Sequence, residues 1–223
     1  MIQVLVAFVV TAGASAFALR PALAGTTTMW LVVGVPYLLL GAYALRDLWS
    51  LDSLVERIKP RWGDLTIGIL IAAVLMLGAW TTTRGLLHPP GNDRQAWLWH
   101  IYLQLGPSDA IQHSAVLTAV ILGIAALEEI VWRGMVLSHL EIRFGQRRGW
   151  LLCTLLYAAS TVPSIFTLSD PVAGPNPLLV VAALGCGLFW SFAASLQKRL
   201  PPVAISHMVF TYFMTVQFRP PGL

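Results

Sequence analysis

Charged residues are scarce in this sequence, making up only 11% of its 223 positions. Soluble domains carry about 25% charged residues, so the composition excludes an ordinary soluble fold. Apolar residues make up 57% of the chain and are concentrated in long runs. These features predict an all-α fold, a polytopic bundle of transmembrane helices embedded in a lipid bilayer.

Cysteine is also scarce. Cys153 and Cys186 both fall inside apolar runs, where we expect reduced side chains that serve in packing. No cysteine–histidine cluster has the spacing of a structural zinc site, and we predict neither a metal nor another cofactor. The net charge of +4 comes from basic residues near the ends of the apolar runs, so no nucleic-acid partner is predicted.

Seven apolar runs are long enough to span a bilayer, which predicts a single integral membrane domain over residues 1–223. No lysine or arginine precedes the first run, so we expect a retained helix there and not a cleaved signal peptide. The predicted spans cover roughly 2–19, 28–45, 65–83, 114–138, 150–168, 177–196 and 201–218.

Basic residues are distributed unevenly between the two sides that seven spans would define. Nine fall on one side and four on the other, so the positive-inside rule predicts a cytoplasmic N-terminus in the cytoplasmic membrane. The nine are Arg46, Arg57, Lys59, Arg61, Arg143, Arg147, Arg148, Lys198 and Arg199, and the four are Arg20, Arg84, Arg94 and Arg219.

Three ionisable residues, Glu128, Glu129 and Arg133, interrupt the fourth run. A charge at bilayer depth costs roughly 2.5–3.5 kcal/mol on insertion scales, so such residues are usually paired or functional. Glu129 and Arg133 share a helical face and can neutralise each other, whereas Glu128 points about 100° away. We expect a structural ion pair, a free Glu128 and an N-cap for this helix at Ser108.

Polar side chains on two other predicted helices lie at a similar depth. Counted from the cytoplasmic boundary, Glu128 and Thr161 lie about 16 Å deep, Thr211 about 15 Å and His207 about 9 Å. If these helices are neighbours, the side chains form one buried polar site. The structural alternative is that the threonines donate to their own helices and that His207 makes an interhelical contact.

Other parts of the chain are expected to be structural. The first two helices have no ionisable residue in their middles and are predicted to be scaffold. Pro163 is expected to bend the fifth helix or loosen its outer half. Three histidines in or beside an outer loop, His88, His100 and His113, are expected to be polar surface residues.

The sextet that begins at Glu128 resembles the first motif of the CPBP intramembrane proteases, which include the CAAX endoprotease. That family has Glu-Glu-x-x-x-Arg, Phe-x-x-x-His and His-x-x-x-Asn motifs, each on its own membrane helix. Here Glu128, Glu129 and Arg133 complete the first motif, and Gly134 follows as is usual in the family.

The other two motifs are partly present in a protease-like core over residues 114–212. In the second motif Tyr157 matches the aromatic residue, but Thr161 stands where the family has histidine. In the third motif His207 is present and Thr211 replaces the asparagine.

The resemblance implies an intramembrane endopeptidase in which Glu128 activates water. It also implies that His207 serves the oxyanion, with Thr211 as a further candidate, while Glu129 and Arg133 hold the helix face in place. The implied substrate is a membrane-anchored protein or peptide, for example one with a C-terminal anchor tail.

The threonine in the second motif leaves the chemistry open. Thr161 cannot take a proton near pH 7, although its hydroxyl can position water. Only Glu128 and His207 remain as good metal ligands, which favours metal-free glutamate chemistry. A catalytically inactive pseudoprotease that binds membrane partners is the first alternative, and a proton-coupled transporter is the weaker one.

Overall fold

The computed structural model describes residues 1–50, 54–87 and 91–219. Within these ranges the regular secondary structure is helical, without a β-strand, so the predicted all-α bundle is confirmed. His88 lies outside the described residues. The α-helices are α1 (Ile2–Ala18), α2 (Thr27–Ser50), α3 (Leu54–Ile58), α4 (Asp64–Leu87), α5 (Gln95–Leu105), α6 (Ser108–Gln112), α7 (Ala115–Glu129), α8 (Leu137–Phe144), α9 (Gln146–Ser160), α10 (Ser164–Thr167), α11 (Leu178–Gln197) and α12 (Pro201–Tyr212).

Five helical segments in the described part of the chain are long and apolar enough to cross a membrane. They comprise α2, α4, the continuous α7–α8 segment, the α9–α10 segment and α11. Helix α1 is apolar but has 17 residues, and α12 continues as a π-helix, Phe213–Gln217. The chain is thus a multi-pass membrane protein, and the count of seven spans stays a prediction.

The loops assigned to one side of the membrane meet at one end of the bundle. His139 Nε2 lies 2.9 Å from Asp47 Oδ2, which joins α8 to α2. Lys198 Nζ donates to Glu141 Oε2 at 2.6 Å, which joins the end of α11 to α8. These contacts gather the loops that carry nine of the basic residues, and we call this side the basic end.

Helix α5 lies across the opposite end. Gln104 Nε2 donates to the carbonyl of Ala18 at 2.8 Å, and Tyr102 Oη donates to the carbonyl of Phe218 at 2.5 Å. Burial raises the pKa of the Tyr102 phenol to about 12, so its hydroxyl remains a donor at neutral pH. The two bonds tie α5 to the ends of the first and last helices.

The helix that carries the glutamates begins later than predicted. Ser108 starts the separate five-residue helix α6, so its prediction as the N-cap of the glutamate helix is wrong. Because α6 ends at Gln112, the chain has to start a new helix before it enters the bundle. Ser114 is the actual N-cap of α7, and its side chain accepts from the amide of Leu117 at 3.2 Å.

The fifth predicted span is divided, as Pro163 led us to expect. Helix α9 ends at Ser160, and a turn at residues 161–163 precedes the four-residue helix α10. Proline lacks an amide hydrogen and its ring clashes with the preceding turn, so the helix stops there. The break places the end of α9, with Tyr157, beside the middle of the bundle.

Close helix packing fixes the positions of the elements around the site. Helix α4 packs along α12, α9 packs against both α8 and α11, and α7 lies between α2 and α12. Gly68 allows the first of these contacts, because a Cβ there would lie 2.8 Å from the carbonyl oxygen of Pro202. Helices α2, α7, α9, α11 and α12 therefore surround the glutamates.

Candidate active site

The helix changes form directly after the two glutamates. Ile130–Val136 is a π-helix, which widens the turn that follows Glu129. The wider turn leaves carbonyls that side chains satisfy: Cys153 Sγ donates to Trp132 O at 3.2 Å, and the Ser138 hydroxyl donates to Gly134 O. Short π segments are rare and occur frequently at functional sites.

Glu129 and Arg133 form the predicted ion pair. Arg133 Nη1 donates to Glu129 Oε1 at 3.1 Å, and both side chains are completely buried. The guanidinium carbon lies 4.3 Å from the ring centre of Tyr157 and 5.4 Å from that of Trp190. Nε and Nη2 have no hydrogen-bond partner in the described part of the chain, so cation–π contacts stabilise this half of the group.

His207 joins the two glutamates from α12. Its Nδ1 lies 2.8 Å from Glu129 Oε1 and its Nε2 lies 3.5 Å from Glu128 Oε2. An ionised carboxylate only accepts, so Nδ1 carries a proton toward Glu129 and Nε2 faces Glu128. The imidazole also stacks on Trp190 with ring centres 4.0 Å apart, and Trp190 Nε1 donates to Ser206 Oγ at 3.0 Å.

Glu128 has a different environment from Glu129. Its side chain is 17% exposed, and its Oε2 accepts from the Tyr157 hydroxyl at 3.3 Å. Tyr37 of α2 also lies close enough to interact electrostatically with this carboxylate. Glu128 thus faces the Tyr157 phenol and the edge of His207, with Tyr37 nearby, and the scaffold role of α2 stays a prediction.

The two threonines of the motifs do not join this network. Thr161 Oγ1 donates to the carbonyl of Ala158 at 2.8 Å, the helical back-bond that was the structural alternative. The hydroxyl of Thr211 makes no hydrogen bond to any described residue, although Thr215 donates to its backbone carbonyl. Similar depth did not bring these side chains to Glu128, because orientation around each helix also decides contact.

Helix α11 approaches the cluster at a glycine. A Cβ at Gly187 would lie 3.2 Å from Tyr157 Cδ1 and 3.5 Å from Arg133 Nη2. The carbonyl of Gly187 also accepts from Thr154 Oγ1 at 3.0 Å. A side chain at this position would push α11 away from α9 and disturb the cation–π contacts.

The cluster has few free metal ligands. Within residues 1–50, 54–87 and 91–219, no group of three or more histidine, cysteine, aspartate or glutamate side chains could hold a metal ion. Glu129 already contacts Arg133 and His207, which leaves Glu128 and His207 Nε2 as the groups that face one another. Metal-free chemistry stays a prediction.

Fold and cluster together define a multi-pass helical membrane protein with a buried Glu–His–Arg site among its spans. Residues 110–213, just under half of the chain, match the family described as Type II CAAX prenyl endopeptidase Rce1-like. No curated protein and no solved structure matches the chain. The match supports the CPBP/CAAX protease family that the motifs predicted, and that family implies a membrane-embedded protease with a protein substrate.

Several residues of the cluster were missing from the sequence-based prediction. Trp190 and Ser206 support His207, Tyr37 lies near Glu128, and Trp132 packs edge-on against Tyr157 with ring centres 5.4 Å apart. One signal could have found the aromatic residues. Tryptophan and tyrosine are enriched where membrane helices meet water, so those deep within predicted spans suggest a specific contact.

Proposed function

We propose that this protein is an intramembrane endopeptidase of glutamate type, in which Glu128 activates water. The main support is the asymmetry of the two carboxylates. Glu129 is completely buried between Arg133 and His207, whereas Glu128 is partly exposed and faces the second nitrogen of the same imidazole. One carboxylate is thus fixed as a support, and the other is accessible to a water molecule.

The proposed reaction has two steps. Glu128 takes a proton from water while the water oxygen attacks the peptide carbonyl carbon, and the carbonyl electrons move onto oxygen as an oxyanion. His207, when protonated, donates to that oxyanion. The tetrahedral intermediate then collapses, the C–N bond breaks, and Glu128 gives its proton to the leaving nitrogen.

Glu129 and Arg133 act as positioning residues in this proposal. Glu129 accepts from His207 Nδ1 and thereby aims Nε2 at Glu128. Arg133 balances the charge of Glu129, and its guanidinium lies between the rings of Tyr157 and Trp190. A carboxylate that orients a histidine in this way fixes both its tautomer and its ring plane.

In the family, the second-motif histidine helps the first glutamate to activate water, and we assign this supporting role to Tyr157. Thr161 occupies the histidine position, but its hydroxyl is engaged with the Ala158 carbonyl. Four residues earlier, the Tyr157 hydroxyl reaches Glu128 Oε2 at 3.3 Å. A phenol at this distance can hold the attacking water or steady the carboxylate. Thr211, at the family's asparagine position, has no role in the proposed reaction.

The proposal also includes an orientation in the membrane and a substrate class. The basic end carries nine lysine and arginine residues, which supports a cytoplasmic assignment for this end and for the N-terminus in the cytoplasmic membrane. The substrate class is a membrane-anchored protein or peptide, such as one with a C-terminal anchor tail. A chain already held in the bilayer could reach a site buried among spans without crossing water.

A pseudoprotease is the alternative that a specific observation favours. The second-motif histidine is absent, and the hydroxyl that replaces it donates to its own helix. In that case the buried ion pair would hold the bundle together, and the protein would act by binding membrane partners. Such a role predicts that the chemistry of Glu128 is dispensable.

The test compares cells that carry the wild type, Glu128→Gln or the control Glu56→Gln at matched protein levels. Glu56 is an exposed carboxylate on α3, remote from the cluster in the sequence. N-terminal and C-terminal peptides of the membrane proteome are mapped in each strain. The proposal expects a protein that is shortened with the wild type and Glu56→Gln but not with Glu128→Gln. Identical maps in all three, with the biological phenotype intact, would support the pseudoprotease instead.

A further inference from the structure

A large apolar cavity lies in the half of the bundle opposite the basic end. Its volume is about 570 Å³, which falls within the range of small-molecule and cofactor sites. The walls come from the later half of α4, the first part of α11 and the later part of the last helix, and α5 covers one end. None of the described residues that line it carries a charge.

The polar residues in the wall offer little to a polar ligand. Tyr102 donates to the Phe218 carbonyl, Gln104 Nε2 donates to the Ala18 carbonyl, and Thr82 Oγ1 donates to the carbonyl of Gly78. These donors already have backbone partners. The Thr83 hydroxyl also faces the wall and makes no hydrogen bond to a described residue, but an ordered water needs roughly two to four polar partners. The walls therefore favour hydrocarbon.

Helix α5 covers the end of the cavity that faces the aqueous side. Besides the bonds of Tyr102 and Gln104, the Asn176 amide donates to the Trp97 carbonyl at 2.9 Å, and His100 lies 3.1 Å from Asp170. These contacts tie α5 to the loop that precedes α11. The helix therefore forms a roof between the cavity and the aqueous phase.

The side of the cavity is open toward the membrane. Val74 on α4 and Val181 and Phe189 on α11 line the cavity and are also 51%, 57% and 46% exposed. Both helices are candidate membrane spans, so their exposed flanks contact lipid chains. The cavity wall is thus continuous with the lipid-facing surface of the protein.

We propose that this cavity is a lipid site that holds an acyl chain of a bilayer phospholipid. Apolar walls with a single unpartnered hydroxyl, an aqueous end covered by α5 and an open lipid flank all favour a chain from the bilayer itself. Phe210 lines the cavity and packs edge-on against Trp190, with ring centres 6.1 Å apart. A bound chain therefore supports, from behind, the tryptophan on which His207 stacks. An empty cavity of this size would be destabilising, because the penalty grows with volume.

The test uses purified protein reconstituted with a phosphatidylcholine that carries a diazirine in the middle of one acyl chain. After illumination, peptide mapping locates the adducts. Binding in the cavity places adducts on inner residues such as Cys186, Phe210 and Met214, besides those on the exposed surface residue Leu38. Excess unlabelled dioleoyl phosphatidylcholine should reduce both groups of adducts.

Filling the cavity provides the discriminating variant. A Cβ at Gly78 or Gly185 meets no atom within 4 Å, so Gly78→Phe/Gly185→Phe should fill the cavity without a backbone clash. Adducts on the inner residues are expected to disappear, while those on Leu38 persist. Gly13→Phe is the matched control, because Gly13 also has open space but lies on α1 and does not line the cavity.

Three outcomes would overturn the proposal. The first is wild-type protein whose inner residues stay unlabelled while Leu38 is labelled. The second is labelling that persists in the filled variant. The third concerns an alkylated peptide that bears the same photoreactive chain. If this peptide labels the inner residues and the phosphatidylcholine does not, the cavity is a substrate site. If the filled variant does not fold, the labelling of the wild-type protein still tests the proposal, because the first and third outcomes are measured without the variant.

Discussion

The buried polar site and the apolar cavity are neighbours with opposite construction. In the site, Glu128, Glu129, Arg133 and His207 are linked by contacts between 2.8 and 3.5 Å, and Arg133 lies against aromatic faces. The cavity has about 570 Å³ of open space and no charged residue in its described wall. Buried charges require close partners, whereas hydrocarbon requires only a surface of suitable shape.

The wall between the two regions consists of aromatic side chains. Trp190 presents one face to His207, and Phe210 packs against Trp190 from the cavity side. Substitutions in the site should therefore have large and specific effects. Those in the cavity should be tolerated, because open space accepts added atoms.

Removing the guanidinium of Arg133 should produce the largest change in stability. Arg133→Met leaves the buried Glu129 carboxylate without its cation, and breaking a buried pair costs about 3–5 kcal/mol. Unfolding of the purified protein in mixed micelles measures the loss. The double variant Glu129→Gln/Arg133→Met should recover most of the stability, because no bare charge remains. Equal stability of the wild type and Arg133→Met would contradict the account of the pair.

Tyr157→Phe should lower the cleavage rate with little loss of stability, because the ring keeps its contacts with Arg133 and Trp132. A hydrogen bond to a charged group contributes about 1.5–3 kcal/mol, which corresponds to a rate loss of roughly tenfold to a hundredfold. The effect should fall on kcat more than on KM.

Placing the family's histidine at position 161 tests more directly whether Tyr157 takes its role. Tyr157→Phe/Thr161→His should regain part of the lost rate, whereas the control Tyr157→Phe/Thr161→Ser should not. If both double variants behave alike, Tyr157 does not take the place of that histidine.

Two glycines on α11 compare the regions directly. Gly187→Ala crowds Tyr157 and Thr154 at 3.2 and 3.3 Å, and overpacking typically costs about 1–3 kcal/mol. Gly185 lines the cavity and has no atom within 4 Å of an added Cβ. Gly185→Ala should therefore stabilise the helix by about 0.5–1 kcal/mol. Unfolding curves of the two variants should shift in opposite directions, and a shift in the same direction would refute the contrast.

The smallest effect on stability is expected at Asp170, in the loop that is tied to α5 above the cavity. The amides of Ala173 and Val172, together with His100, hold the pKa of Asp170 below its usual value. The stabilising contribution is therefore present above the ordinary aspartate pKa of about 3.9 and is lost as pH falls through the lower folded value. The protection of the Val172 and Ala173 amides against hydrogen exchange, relative to the intrinsic rate at each pH, should fall in acid.

Asp170→Asn is the matched variant for this prediction. It should accelerate exchange at the same amides already at neutral pH and leave the amides of α7 unchanged. Exchange that does not differ between the variant and the wild type would show that Asp170 does not hold the roof.

The sequence was most informative where burial has a large energetic penalty. Charges within an apolar run have to be paired, so Glu128, Glu129 and Arg133 could be recognised, and helical spacing paired two of them correctly. His207 could be connected to them through depth and through the family motif. The helices were also predictable, because a lipid environment leaves few alternatives for the backbone.

Other features depend on contacts that local patterns do not encode. The π-helix after Glu129 places carbonyls against Cys153 and Ser138, and no spacing rule predicts the extra residue in the turn. Tyr37 lies near Glu128 although its helix is outside the motif-bearing segment. The cavity arises because helices diverge, and that is a property of the assembled bundle.

The most direct test of the central claim is a cleavage assay with purified protein in proteoliposomes, using the substrate found by peptide mapping. Wild type, Glu128→Gln and Glu56→Gln are compared at equal folded amounts, and the wild type is also assayed with a chelator. The account predicts that Glu128→Gln loses about 10²–10⁴-fold in rate, the usual contribution of a general base. It also predicts that Glu56→Gln and the chelated enzyme remain active. Cleavage by Glu128→Gln at the wild-type rate would contradict the assignment of Glu128 as the base.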